Sequence, residues 1–283
     1  MAAARGLVTS YANVAGESNC PRVLVVDHDD SFTENIIHML VESGAVPERI
    51  RTFDMKVPPE CSSYSGIVLS PGPGAPWNQA DVGVSAALLD KQQSLPILGV
   101  CLGHQLLTHV YGGDVGPSDF PMHGRASLVT LEDSGVQDEL FRGVPRQFKA
   151  VRYHSLAASR LPDCLVPLGF AEDSGQRTLM ALRHRTLPRW GLQYHPESIG
   201  TCYGKEVLSN FVEVMRRHST ARRTASPLRA SVPLPLASAP PAPDAPHKSS
   251  GSRSSPSSAG AASSVRPSLR FSFQEVSRAV PAQ

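Results

Sequence analysis

Residues 96–103 read Pro-Ile-Leu-Gly-Val-Cys-Leu-Gly, an unbroken aliphatic run that ends on a cysteine between glycines. Such a run reads as a strand buried on both faces, a situation found almost only where helices cover both sides of a parallel sheet. The pattern recurs. Val23–Val26 is a second buried strand. The spacing Ser31-Phe32-Thr33-Glu34 then predicts a capping box opening a helix, with Ile36, Ile37, Leu40 and Val41 on one face and Gly44 at its end. Ile50–Phe53 and Gly66–Ser70 read as strands, Val84–Leu89 and Gly103–Tyr111 as helices, and Gly112-Gly113 closes the last. The second half is richer in strands: Ser127–Leu131, Gln147–Tyr153, Thr178–His184 and Trp190–Tyr194, followed by a helix from Lys205 to Arg216. This alternation predicts an α/β fold, an open and mostly parallel sheet with flanking helices.

Composition sets the boundaries. The chain has 283 residues, 41% of them hydrophobic, enough for one sizeable core. Residues 1–21 are read as an unstructured leader, in preference to an organelle transit peptide, and 22–216 as the folded domain. Residues 217–268 are rich in Pro, Ser and Ala and bury too little apolar area to offset their ordering entropy, so they read as a disordered linker. Residues 269–283, with Phe271 and Phe273, read as a short tail segment, an isolated element or the start of a further domain. From Arg216 onward there are ten Lys/Arg against two Asp/Glu, scattered as in a solvated linker. Nucleic-acid binding would want aromatics interleaved with those charges throughout, and the only aromatics there are Phe271 and Phe273 near the end. No run of 18 apolar residues exists to cross a membrane. The five cysteines are widely spaced without a C-x-x-C, which argues against a disulfide framework and a structural zinc site. A reducing compartment follows: the cytoplasm, or alternatively a plastid.

Gly99-Val100-Cys101-Leu102-Gly103 is a G-x-C-x-G form of the nucleophile elbow. A sharp strand-to-helix turn holds the nucleophile in a strained conformation that only small neighbours permit. It lifts the sulfur above the sheet's carboxyl edge, where ligands bind in open α/β sheets. It also sets the sulfur at a helix N-terminus, where partial positive charge favours thiolate. A thiol nucleophile needs a base, and the base an orienting group. His195-Pro196-Glu197 supplies both; in extended chain Glu197 falls on the same side as His195. An oxyanion hole takes one backbone N–H from Leu102 and another from Ser70-Pro71-Gly72-Pro73-Gly74. There only Gly72 or Gly74 can donate, because Pro73 has no N–H.

Together with Gly99–Gln105, Tyr194–Ser198 and Ser70–Gly74, the motifs Asp30-Ser31-Phe32-Thr33 and Arg152-Tyr153-His154-Ser155-Leu156 carry a resemblance. Over 22–216 the chain resembles the class I (triad) glutamine amidotransferases, of flavodoxin-like fold. Within them it is similar to the glutaminase subunits of anthranilate synthase and aminodeoxychorismate synthase. The resemblance implies Cys101, His195 and Glu197 as the triad. It implies glutamine contacts from Gly72, Pro73, Gly74, Gln105, Ser155 and Leu156, with no departure at these positions. Its implied partner is a chorismate-using synthase, either a domain or a separate subunit. It implies no cofactor for the glutaminase step, and any Mg²⁺ at the chorismate site. Glu197–Lys205 and the Pro/Ser-rich extension look more like plant-type aminodeoxychorismate synthase, which is favoured over anthranilate synthase. Two further readings compete. A gamma-glutamyl hydrolase-like peptidase is disfavoured by the 71–74 loop and the Tyr153–Leu156 motif. A catalytically silent binding module is disfavoured by the intact Cys, His and Glu.

Overall fold

The structure, a computed structural model, describes residues 9–10 and 20–225. These fall in one of two compact units, Met1–Arg229. The expectations for the tail beyond 225 lie outside the described residues.

Strands β1 (Thr9–Ser10), β2 (Arg22–Asp27), β3 (Val46–Arg51), β4 (Gly66–Leu69) and β5 (Ile97–Val100) build one half of a ten-stranded sheet. The other half comes from β6 (Asp114–Leu131), β7 (Gln147–Arg160), β8 (Leu165–Asp173), β9 (Gln176–His184) and β10 (Arg189–Leu192). The spatial order is β1-β3-β2-β4-β5-β10-β9-β8-β6-β7. Pairing from β3 through β2, β4 and β5 to β10 is parallel. Pairing from β10 outward, and of β1 with β3, is antiparallel. The sheet is therefore mixed. Parallel strands need long helical crossovers, which the first half of the chain provides; the second half returns by shorter connections.

Alternation along the central strands builds two cores. Val23, Val25, Val68 and Leu98 face one side, packed with Ile36, Ile37 and Leu40 of α1 (Thr33–Glu42) and with Val207, Leu208, Phe211 and Met215 of α6 (Gly204–Ala225). Leu24, Val26, Ile67, Leu69 and Ile97 face the other. Their partners are Val82 of α2 (Gln79–Val82), Leu88 and Leu89 of α3 (Ser85–Lys91), and Leu106 and Leu107 of α4 (Leu102–Val110). A short α5 (Asp133–Val136) follows β6.

Several local expectations are corrected. The 31–34 capping box does not form: α1 begins at Thr33 with Phe32 as its cap and no side-chain cap bond. Asp30 does the work instead, its carboxylate accepting from Phe32 N–H at 2.8 Å and its carbonyl from Thr33 N–H. The second strand lies at Val46–Arg51, and Thr52–Asp54 is a 3-10 turn. Thr9–Ser10, inside the expected leader, pairs with β3. Strand β8 was missed, and α6 runs on to Ala225 past the composition break at 217. β6 is 18 residues long. Its first part pairs only with β7, with register shifts on either side of Met122 and His123, and it accommodates Pro117 and Pro121 because one edge needs no ladder donors.

Candidate active site

Cys101 joins β5 to α4 with φ +51 and ψ −101, a conformation an L-residue rarely adopts. Its N–H donates to Leu192 O at 2.7 Å and its carbonyl accepts from Gln105 N–H at 3.0 Å, so strand and helix grip the turn from both sides. The flanking glycines follow from space. A Cβ on Gly99 would lie 2.4 Å from Gly103 backbone, and one on Gly103 would lie 2.4 Å from Leu69 O. The sulfur is turned toward the carbonyl of Tyr153 at 3.6 Å, and Gln193 Nε2 lies 3.8 Å from it. Leu102 buries its side chain in the core. As the first residue of α4 it presents an N–H with no intrahelical acceptor.

His195 is set by backbone. Its N–H donates to Val151 O at 3.0 Å, and its carbonyl accepts from Thr201 Oγ at 2.7 Å. His195 Nδ1 lies 2.6 Å from Glu197 Oε1, both residues 3% exposed. The extended chain expected here is absent. β10 ends at Leu192, and a turn closed by Ser198 N–H on His195 O swings Glu197 back under the ring. Gly204 permits that turn, since a Cβ there would lie 1.8 Å from Pro196 O as α6 begins. The ring packs edge-on against Tyr153, centroids 5.2 Å apart, and against Phe32 at 6.3 Å. Burial by itself lowers the imidazole's pKa. The hydrogen bond to Glu197, and the charges of Glu197 and Cys101, outweigh it and raise the pKa to about 10. The proton-bearing ring is thus favoured, with Nε2 lacking a hydrogen-bond partner among the described residues.

The 70–74 loop is anchored by groups the sequence reading did not single out. Ser70 Oγ accepts from His28 N–H at 2.9 Å, and His28 Nε2 meets Ser85 Oγ at 2.8 Å. Burial drives the His28 pKa down to about 4, so this ring is neutral. Gly72 is forced: a Cβ would sit 2.5 Å from His28 Cβ. Gly74 has φ +96, and Asp81 takes the N–H of Ala75 at 2.9 Å.

A cavity of about 190 Å³ opens over Cys101. It is smaller than the ~300–1,000 Å³ typical of drug-sized ligand sites and suits one small molecule. Gly72, Pro73, Gly74, Gln105, Ser155 and Leu156, read from the sequence as glutamine contacts, line it. So do His123, Tyr153 and His154, which were not singled out. Tyr153 and His154 sit inside a quoted motif. His123 carries no sequence signal; the irregular β6–β7 register sets it opposite Tyr153. Leu102, His195 and Glu197 are not in the lining. Among the described residues no cluster of three or more His, Cys, Asp or Glu side chains is arranged to hold a metal ion.

A strained cysteine elbow and a buried His–Glu pair sit on a mixed sheet wrapped by helices, a scaffold suited to triad-type chemistry. The model of the family "Glutamine amidotransferase class-I" matches residues 24–215, and the chain belongs to that family. It is 44% identical over 216 residues to an aminodeoxychorismate synthase of Streptomyces griseus, covering 76% of this chain and 29% of that one. It is 42% identical over 208 residues to an anthranilate synthase component 2 of Thermus thermophilus, covering 71% of this chain and 97% of that one. The chain thus spans under a third of the first relative and nearly all of the second. The fold is shared with a solved glutamine amidotransferase from Thermotoga maritima, at TM-score 0.54 and 19% identity, over 73% of this chain and 86% of that one. It is also shared with a Thermoplasma acidophilum protein assigned to GMP synthase, at TM-score 0.64 and 23% identity, over 73% of this chain and 100% of that one.

Proposed function

We propose that this chain hydrolyses glutamine to glutamate and ammonia and supplies that ammonia for amination of chorismate to 4-amino-4-deoxychorismate. The observation that carries this is the 2.6 Å His195–Glu197 contact, buried beside a sulfur on a strained elbow. In this reading the Cys101 thiolate attacks the side-chain amide carbon of glutamine. The oxyanion is held by Leu102 N–H and by an N–H of Gly72 or Gly74. Protonated His195 gives its proton to the departing ammonia, then as base activates the water that hydrolyses the thioester. Glu197 stays ionised and keeps the ring oriented. Gln105, Ser155 and Leu156 hold the substrate. The partner is a chorismate-using synthase, fused as a domain or bound as a separate chain. All five cysteines are free, which suits a reducing compartment, the cytoplasm, and no described helix is long and apolar enough to cross a membrane.

The second reading is the glutaminase component of anthranilate synthase, favoured by the near-complete coverage of the Thermus thermophilus relative. One assay separates them. The chain is combined with glutamine, chorismate and a synthase of either type, and the aminated product is identified. Aminodeoxychorismate formation supports the first reading, and anthranilate alone overturns it in favour of the second. If neither synthase gains glutamine-dependent activity, both fall.

A further inference from the structure

We propose that Gln193 is a further catalytic residue, its side-chain amide donating a hydrogen bond to the Cys101 sulfur and stabilising the nucleophile in its charged form. The proposal rests on Cys101 being the nucleophile and adds a group to that site.

Gln193 follows the last residue of β10 and is fully buried, its N–H held by Met180 O at 2.8 Å. Its Nε2 lies 3.8 Å from the sulfur. The direction of this amide is set by its neighbours. Leu156 O meets His154 Nδ1 at 3.0 Å, and His154 Nε2 accepts from Arg152 Nε at 3.1 Å, so the ring's hydrogen sits on Nδ1 and points at that carbonyl. The same carbonyl accepts from Gln105 Nε2 at 2.9 Å. The second hydrogen of Gln105 Nε2 therefore goes to Gln193 Oε1, 3.2 Å away. A flipped Gln193 would set two NH₂ groups against each other. Its carbonyl must face Gln105 and its NH₂ the sulfur.

The sulfur's other near neighbour makes that donor necessary. A thiol can give its proton to Tyr153 O, 3.6 Å away, but a thiolate facing the same carbonyl meets only negative dipole. An N–H bond to an ionised acceptor is about twice as strong as one to a neutral acceptor. The Gln193 amide therefore favours thiolate over thiol, and its effect fades once sulfur is acylated and neutral.

The test is the pH profile of Cys101 alkylation by iodoacetamide, resolved by peptide mass spectrometry because the other cysteines also react. Gln193→Met removes the donor at similar volume. Gln193→Glu keeps an acceptor for Gln105 and sets a carboxylate toward the sulfur. In folded variants we expect Cys101 to label about tenfold more slowly than wild type near pH ~6.5, more slowly still with Glu, and the curves to converge at high pH. A Met variant with the wild-type profile overturns the proposal. Should neither variant fold, the ¹⁵N-labelled wild type carries the test. The Gln193 side-chain amide resonances then shift with the midpoint of the alkylation profile, and resonances that stay still across that range overturn it. Alkylation needs no turnover, so a wild type that hydrolyses no glutamine would defeat the proposed function while leaving this measurement intact.

Discussion

Glu197 Oε1 sits 2.6 Å from His195 Nδ1 although only one residue, Pro196, separates them, because a turn folds the carboxylate under the ring. Glu197→Gln keeps the shape and removes the charge. The imidazole loses its counter-charge, and its tautomer is no longer imposed. By analogy with the measured effect of such a change in a serine protease triad, kcat should fall by roughly 10²–10⁴-fold. Steady-state glutaminase assays check this, and a loss under threefold would remove Glu197 from the mechanism.

The raised His195 pKa also makes stability depend on pH. A group whose folded pKa is raised stabilises the fold most where both states are protonated, below about 6.5, and that contribution fades as pH climbs toward about 10. Melting temperatures of wild type and Glu197→Gln, measured from pH 6 to 10, should therefore differ most at the neutral end and approach each other at the alkaline end. A gap that widened with pH would contradict the charged pair.

The backbone at Cys101 predicts an inverted ranking. Alanine normally outranks glycine by roughly 0.5–1 kcal/mol in regular structure. At φ +51 and ψ −101 an L-side chain costs about 1–3 kcal/mol, which glycine avoids. Cys101→Gly should thus be more stable to urea than Cys101→Ala, by about 1 kcal/mol, and neither should turn over glutamine. Equal stabilities would show the elbow to be unstrained.

Gly103 tests the same turn from outside. A methyl group there would lie 2.4 Å from Leu69 O, backbone that cannot yield without disturbing β4. Gly103→Ala should destabilise by about 1–3 kcal/mol. Gly143→Ala, where nothing lies within 4 Å, serves as control, its cost confined to φ +79. Urea midpoints that moved equally would argue against close contact at Gly103.

The loop over the cavity depends on a residue outside it. Asp81 accepts from Ala75 N–H at 2.9 Å and from Asn78 Nδ2 at 3.0 Å. Asp81→Ala should raise the glutamine KM several-fold while kcat changes less, since the loop loses its tether but the triad is untouched. A drop in kcat at constant KM would point to a different role.

The elbow at Cys101 and the 70–74 loop were legible because each sits in a stretch that local rules constrain. The glycines around Cys101 and the aliphatic run before it admit little but a strand meeting a helix. The Gly72–Gly74 loop and Gln105 reached the cavity with Cys101 as expected. The failures have local causes too. The 31–34 pattern satisfies a capping box, yet the helix starts at Thr33 with Phe32 as its cap, out of register with the box, and Asp30 accepts from Phe32 and Thr33 N–H instead. The first part of β6 is largely exposed and paired on one side, so it lacks the alternation by which a strand is recognised.

The sequence by itself determined the parallel half of the sheet and the cysteine elbow at its carboxyl edge, because aliphatic periodicity and glycine spacing act between near neighbours. Only the tertiary structure decided what surrounds the sulfur. His123 arrives through an irregular register, Tyr153 O and Gln193 reach the sulfur from positions 52 and 92 residues away, and Asp81 tethers the loop from a separate helix. These contacts depend on how distant strands and loops pack together, a geometry that no pattern within a single stretch of chain encodes.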